Sequence, residues 1–496
     1  EAADIMVSQS VKTDLVHETV AAAAKLVEEQ EYQAWCALPL REVAYVLTRN
    51  QEKTTDGFVA ANELLLVYQR TGQAQKAVEL GTRLLEVVEE MHGPERVAKT
   101  LNNLGNAYGE LGDYQKQKEF LERSLKIMEQ HYGAEHPEVA MTLNNLGNAY
   151  ENLGDYQKQK EFLERSLKIK EQHYGAERPE VAITLHNLGN AYDNLGDYQK
   201  QKEFLERSLK IKEQHYGTEH PEVAMTLNNL GTAYGNLGDY QKKKELLERS
   251  LKIKEQHYGK EHPEVAMTLN NLGNAYGELG DYQKQKEHLE RSLTIREQHY
   301  GAEHPEVAMT LNNLGNACGE LGDYQKQKEF LERSLKIKEQ HYGAEHPQVA
   351  ITLHNLGNAY GDLGDYQKKK EYLERSLKIM EQHYGKEHPE VAMTLNNLGD
   401  AYGELGDYRK MKDLLERCLK ILEQHHGAEH PQVAITLNNL GLAYAQQGDR
   451  QKGKELCEHA LILLTRSLGQ DHPWVAAAAS AVATLQSEEK LCCVRL

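Results

Sequence analysis

Between residues 137 and 178 apolar side chains fall at Val139, Leu143, Leu146, Tyr150 and Leu153, in steps of four, three, four and three. That spacing is one stripe of an amphipathic α-helix. Pro137 opens it, because the N–H that proline lacks is unpaired at a helix start anyway. Gly154 stands where a left-handed C-cap is needed, and Asp155 is a good N-cap for a second helix. The second stripe, Tyr156, Phe162, Leu163, Leu167 and Ile169, predicts a helix to about Tyr174. Gly175 ends it, and Ala176-Glu177-Arg178 leads to the next proline at 179. Each unit is therefore a helix A, a tight turn, a helix B and a short loop. Gly147 and Ala149 are small enough to let the two helices approach closely.

The unit recurs. Leu-Asn-Asn-Leu-Gly begins at 101 and returns, intact or with one change, at 143, 185, 227, 269, 311, 353, 395 and 437, a fixed step of 42 residues. One such hairpin cannot bury its apolar face alone, and does so against its neighbours. The expected fold is all-α: an α-solenoid, a right-handed superhelix of antiparallel helix hairpins. The organisation read from the chain is an N-terminal helical cap or linker over 1–58, an array over 59–478, and a capping helix and tail over 479–496. Residues 61–100 form a diverged first unit with a loop two residues shorter. Upstream, 13–30 and 39–49 read as further helices, and the segment near Trp474–Gln486 as the cover of the last apolar face.

Asn-Leu-Gly-Asn-Ala-Tyr followed by Gly-Asp-Tyr resembles the tetratricopeptide (TPR) signature, whose usual unit is about 34 residues. The longer repeat and the loop Leu468-Gly469-Gln470-Asp471-His472-Pro473-Trp474-Val475-Ala476 resemble the kinesin light chain and nephrocystin-3-like class. The resemblance covers roughly 59–485. Two features depart from it. Helix B carries Gln117, Gln159, Gln201, Lys243, Gln285, Gln327 and Lys369 where the TPR pattern has an alanine against helix A. Those side chains are expected to snorkel, or the helices to sit further apart. In addition, 1–58 shows no sustained heptads of the kind kinesin light chains carry.

The resemblance implies a concave groove lined by helix A. Its binding positions would be the first asparagine of each Asn-Asn pair and the residue four later, one turn apart on the same face. In this chain they are Asn102, Asn106, Asn144, Asn148, His186, Asn190, Asn228, Asn270, Asn274, Asn312, Asn316, His354, Asn358 and Asn396. A carboxamide donates and accepts together, so such a ladder suits the backbone of an extended peptide. The second asparagine of each pair is expected to bond between adjacent helices. Gly109, Gly235, Gly277, Gly319, Gly361 and Gly403 would leave room for ligand side chains. Met141, Met225, Met267, Met309 and Met393 would add adaptable apolar contact.

Charge narrows the partner. The formal net charge is −18, which disfavours nucleic acid and anionic lipid. Glu110, Glu151, Asp193, Glu278, Glu320, Asp362, Asp400 and Glu404 make the groove rim acidic, with Lys99 the clear exception. A neutral or basic peptide fits that rim. No stretch approaches the roughly 18 apolar residues of a membrane helix. The six cysteines, at 36, 318, 418, 457, 492 and 493, show neither metal-ligand spacing nor a disulfide framework. They point to a reducing, cytoplasmic compartment.

Other patterns carry less. Gly448-Asp449-Arg450-Gln451-Lys452-Gly453-Lys454 mimics a phosphate loop, but Glu455 follows it and no strand precedes it. The recurring pair His131 and His136 fits helix ends better than a metal site. His186 and His354 would make binding pH-sensitive. Cys493-Val494-Arg495-Leu496 has the form of a prenylation box, with Arg495 in place of an aliphatic residue. No nucleophile–base motif, metal site or cofactor motif stands out, so the expectation is a non-enzymatic protein-interaction scaffold. Two alternatives stand beside it. One is a sensor or autoinhibitory arm of a larger signalling NTPase (nephrocystin-3-like or NLR-like), suggested by a start at Glu1 without methionine. The other is a solenoid that self-assembles through its end faces.

Overall fold

The computed structural model describes Glu42, Tyr45 and residues 55–91, 93–470 and 472–494. The expected helices over 13–30 and 39–49 fall almost wholly outside these residues, and the side chains of the terminal Cys-Cys-Val-Arg-Leu segment fall outside them too. Among the described residues there are 21 helices, ten consecutive hairpin pairs and a final single helix, and no strand. The chain divides into two compact units, Glu1–Ile253 and Lys254–Leu496.

In the first unit the diverged hairpin is Thr55–Arg70 with Ala74–Glu90. Regular hairpins follow: Pro94–Glu110 with Tyr114–Tyr132, Pro137–Asn152 with Tyr156–Tyr174, and Pro179–Asn194 with Tyr198–Tyr216. In the second unit the A helices start at Pro263, Pro305, Pro347, Pro389 and Pro431. The last helix, Pro473–Val494, opens on proline like the A helices of the regular hairpins, a residue before the expected Trp474. Its Ala481, Val482 and Leu485 pack on Cys457 of the preceding B helix.

The ends of each helix follow from a few residues. At Pro137 the N-cap is His136, whose Nδ1 accepts from the Glu138 N–H at 3.2 Å. Histidine in this role went unread in the sequence. It explains why a histidine precedes the proline in most repeats. Helix A ends on Gly154 at φ 76, with the Asp155 N–H donating to the Tyr150 carbonyl. Only glycine adopts that conformation without strain. Asp155 then caps helix B by accepting from the Lys158 N–H at 3.2 Å.

Within a hairpin, Val139, Ala140, Leu143, Leu146 and Ala149 are fully buried, as is Leu163 opposite. Each such leucine stabilises the fold by roughly 1.5–3 kcal/mol. Gly147 sits under Leu163 so closely that a Cβ there would lie 2.7 Å from its Cγ. Helix B is also tied to helix A by a buried hydroxyl: Ser166 donates to the Ala140 carbonyl at 2.7 Å. The same bond recurs from Ser124, Ser208, Ser250, Ser292, Ser334 and Ser376. Between repeats, Arg165 bridges to Glu129 at 2.6 Å and to the Ala134 carbonyl at 3.2 Å.

Candidate binding face on the A helices

On each A helix the helical period brings the first asparagine and the residue four later to one face, but the two differ in depth. Asn102, Asn144, His186, Asn228, Asn270, Asn312 and His354 are buried, 4–9% exposed. Asn396 is half-buried. The oxygen of this first residue accepts from the second asparagine of the next repeat. Asn145 donates to Asn102 at 3.1 Å, Asn187 to Asn144 at 3.4 Å, Asn313 to Asn270 at 3.3 Å, Asn355 to Asn312 at 3.4 Å and Asn439 to Asn396 at 3.4 Å. The second asparagine therefore bonds between adjacent A helices, as expected. The first is its acceptor, not a solvated ladder rung.

Histidine fills the same role in two repeats. His186 Nε2 accepts from Asn229 at 3.2 Å, and His354 Nε2 from Asn397 at 3.1 Å. With Nε2 as acceptor, the ring proton sits on Nδ1, facing Thr226 at 3.3 Å and Thr394 at 3.1 Å. Burial pushes both imidazoles down to about 4. The expectation of pH-sensitive groove histidines is corrected: both stay neutral across the physiological range.

The second column lies nearer the surface. Asn106, Asn148, Asn190, Asn274 and Asn358 are half-buried and Asn316 is exposed. Asn148, Asn190 and Asn358 each accept from the next repeat's second asparagine, at 3.2, 3.0 and 3.1 Å. These bonds fix each amide and leave its own N–H groups free to donate. Asp400 takes this place in a later repeat and pairs with Lys369.

The groove glycines are corrected as well. Gly109 does not leave ligand space, because a Cβ there would lie 2.6 Å from Gln117 Cδ. Gly277 and Gly319 are filled by Gln285 and Gln327, Gly235 and Gly361 by Lys243 and Lys369, and Gly403 by Met411. The missing side chain on helix A accommodates the oversized one on helix B. Where helix A carries Ala445 instead, helix B carries Gly453, whose Cβ would come within 3.0 Å of the alanine's. The polar residues in place of the family alanine thus neither snorkel fully nor hold the helices apart.

Sequence reasoning missed a third column. Lys170, Lys212, Lys254, Arg296 and Lys338 are only 1–9% exposed, on the face of helix B that packs inward. The signal was available: the same column holds Met128, Met380, Leu422 and Leu464 in other repeats. Lys212 and Lys254 reach Glu222 and Glu264 at 2.9 and 2.8 Å. Arg296 reaches Glu306 and Thr310. Lys170 and Lys338 donate to Thr184 and Thr352 at 2.8 and 2.9 Å. Burial pulls these two amines down to about 8, against a weak upward pull from Glu180 on Lys170.

From Lys170 a chain of bonds crosses the repeat. Thr184 passes to Asn144 at 3.2 Å, and Asn187 joins Asn144 to Asn148. A buried cation on helix B is thereby wired to a surface amide on helix A. Elsewhere, two crevices of about 380 and 280 Å³ lie beside Tyr402 with Leu414 and Tyr444 with Leu456. Those leucines replace the ring that stacks on tyrosine in other repeats, as Phe162 does on Tyr150 at 5.3 Å.

Among the described residues no group of three or more His, Cys, Asp or Glu is arranged to hold a metal ion. None of the helices among the described residues is long and apolar enough to cross a membrane. The phosphate-loop mimic is the ordinary turn between helices, with Asp449 capping Arg450–Leu468.

A solenoid of paired helices with fixed caps and an asparagine column at each junction is a helical-repeat scaffold. The family model for the tetratricopeptide repeat matches in overlapping segments from 58–130 to 432–490, and the chain belongs to that family. No curated protein matches this chain. The nearly identical TPR-like repeats of a Podosopora anserina protein assigned as a kinesin light chain are 28% identical. That match covers 42% of this chain and 97% of that one, with a TM-score of 0.38. BtubC (BKLC) from P. vanneervenii is 25% identical over 46% of this chain and 90% of that one, with a TM-score of 0.40. The apo form of the quorum sensor NprR from B. thuringiensis shares the fold at 14% identity. It covers 73% of this chain and 97% of that one, with a TM-score of 0.58.

Proposed function

We propose that the A-helix face holds an extended segment of a protein partner, without chemistry of its own. The observation that carries this reading is the second column. Asn148, Asn190 and Asn358 are each fixed from behind and keep donors for a ligand. Amides held this way lose little side-chain entropy on binding. They suit main-chain carbonyls of an extended peptide, whatever its side chains. The first column then acts as the support that orients the second. The net charge of −18 and the acidic side chains along the face favour a neutral or basic partner.

The test is a library of extended peptides screened against the whole chain, followed by Asn148, Asn190, Asn274, Asn316 and Asn358 changed together to Ala. Each is half-buried or exposed, so the fold should persist by circular dichroism. Affinity should fall at least about a hundredfold, roughly 1 kcal/mol for each bond lost until binding vanishes. Unchanged affinity would remove this face as the binding site.

A further inference from the structure

Two consecutive repeats break the glycine rule of the A-helix face. At the position held by Gly109, Gly235, Gly277, Gly319, Gly361 and Gly403, they carry Glu151 and Asp193. A cavity of about 240 Å³ opens there, lined by Glu151, Asn190, Asp193, Asn194, Gln201, Asn229 and Thr232. No lysine or arginine is among its walls, and neither carboxylate has a cationic partner among the described residues.

Several donors around the cavity are already engaged. Asn194 donates to Glu151, and Gln201 donates to Asp193. Asn236 donates to Asp193 at 3.2 Å, and Asn229 to Asn190 at 3.0 Å. Acceptors remain. Gln201 is 1% exposed, lines the cavity, and its Oε1 has no hydrogen-bond partner. A buried acceptor left unmatched is destabilising, and so is a partly buried carboxylate without a counter-charge. Burial accordingly pushes both the Glu151 and Asp193 carboxyls up, against the amides that bond them.

We propose that Glu151, Asp193 and Gln201 form a receptor for one cationic side chain, a guanidinium or an ammonium, of the segment bound on the A-helix face. The assignment rests on the peptide-binding reading and adds a chemical class to it. A guanidinium carries five donors and no acceptor, which complements two carboxylates and a buried carbonyl. Its planar fork pairs with carboxylates through two parallel bonds. The receptor occurs at one place along a repetitive face, so it would set the register of a ligand that otherwise reads alike from repeat to repeat.

The experiment uses the full chain with isotope-labelled Asn and Gln side chains, titrated with N-acetyl-arginine methylamide to roughly 10 mM. The side-chain amide signals of Asn190, Asn194, Gln201 and Asn229 should move, and the uncharged citrulline analogue should leave them still. Glu151→Gly with Asp193→Gly installs the residue six other repeats carry, so the fold is retained. That variant should bind the arginine probe at least about tenfold more weakly. Glu151→Gln with Asp193→Asn, which keeps the shape, should do the same. Equal response to citrulline, unchanged binding in the variants, or displacement of the probe by an equal concentration of Ca²⁺ would overturn the assignment. If library peptides bind the native chain and the glycine variant alike, peptide binding stands and the receptor falls. If the arginine probe behaves as expected while no library peptide binds, the receptor stands and the peptide reading falls.

Discussion

At one position of helix B the array has two kinds of interior. Met128, Met380, Leu422 and Leu464 fill it with apolar atoms, and Lys170, Lys212, Lys254, Arg296 and Lys338 fill it with buried cations. In the second unit one apolar cluster, from Leu331 to Ala478, spans positions of both kinds, Lys338 as well as Met380, Leu422 and Leu464. The same helices and caps serve both interiors, so the fold does not need the cation. What the cation adds is connection. Through Thr184 or Thr352 it holds Asn144 or Asn312, the acceptor that positions the amides of the next repeat. A buried ionic group is weak support for stability but can fix geometry. Here it orders the face proposed to bind.

The largest effect should come from cutting that connection. Thr184→Val removes the Lys170 acceptor and the Asn144 donor together, leaving an ammonium buried without its bond. Loss of about 3 kcal/mol is expected in denaturant unfolding. Adding Lys170→Met, the residue of the apolar repeats at Met128 and Met380, should restore most of it. If the double variant is no better than Thr184→Val, the two interiors are not interchangeable.

Next, Lys338→Met should stabilise the chain by about 2 kcal/mol, since an apolar residue of similar length avoids desolvating the amine. A loss of stability on the same measurement would contradict the comparison.

The pH dependence has a definite sign. Burial lowers the Lys338 amine from 10.5 to about 8 in the folded chain. Between pH 8 and 10 the unfolded chain holds this proton and the folded chain does not, so stability should rise with pH. Lys170 contributes in the same direction. Above about pH 10 the trend reverses, because burial and a glutamate neighbour push tyrosines such as Tyr150 and Tyr402 up to about 12. Their unfolded forms then lose protons that the folded forms keep. Unfolding curves of Lys338→Met across pH 7–10 should show a shallower rise than the native chain, by up to a few kcal/mol in total. Parallel curves would refute a buried neutral amine.

The smallest effect is expected from Gln348→Glu. It supplies Lys338 with the carboxylate that Glu222 gives Lys212 at 2.9 Å. Because that oxygen stands near water, the gain should be under about 1 kcal/mol. A loss would mean that the pair is not formed.

The ends of each helix were legible because their determinants are local: Pro137, Gly154 and Asp155 act within a few residues of themselves. So was the period, and with it the solenoid. The depth of Asn102 was not legible, because its partner Asn145 is 43 residues away. Gly109 read as open space because Gln117, eight residues on, folds back across the turn to fill it. The cation column was hidden by composition. Lys170 lies in the run Lys168-Ile169-Lys170-Glu171, where charged residues outnumber apolar ones and only comparison across repeats picks out the buried position. His136 was set aside as a helix-end residue, and its ring proved to be the cap itself. The pattern is general: what a residue does within its own turn can be read, and what it does to a residue one repeat away must be seen.

The proposed partner lies along the A helices. Hydrogen exchange of the native chain, with and without a saturating library peptide, tests that placement most directly. Protection should rise in Pro137–Asn152 and Pro179–Asn194, with Tyr156–Tyr174 and Tyr198–Tyr216 unchanged. Protection confined instead to the crevices beside Tyr402 and Tyr444 would contradict the account.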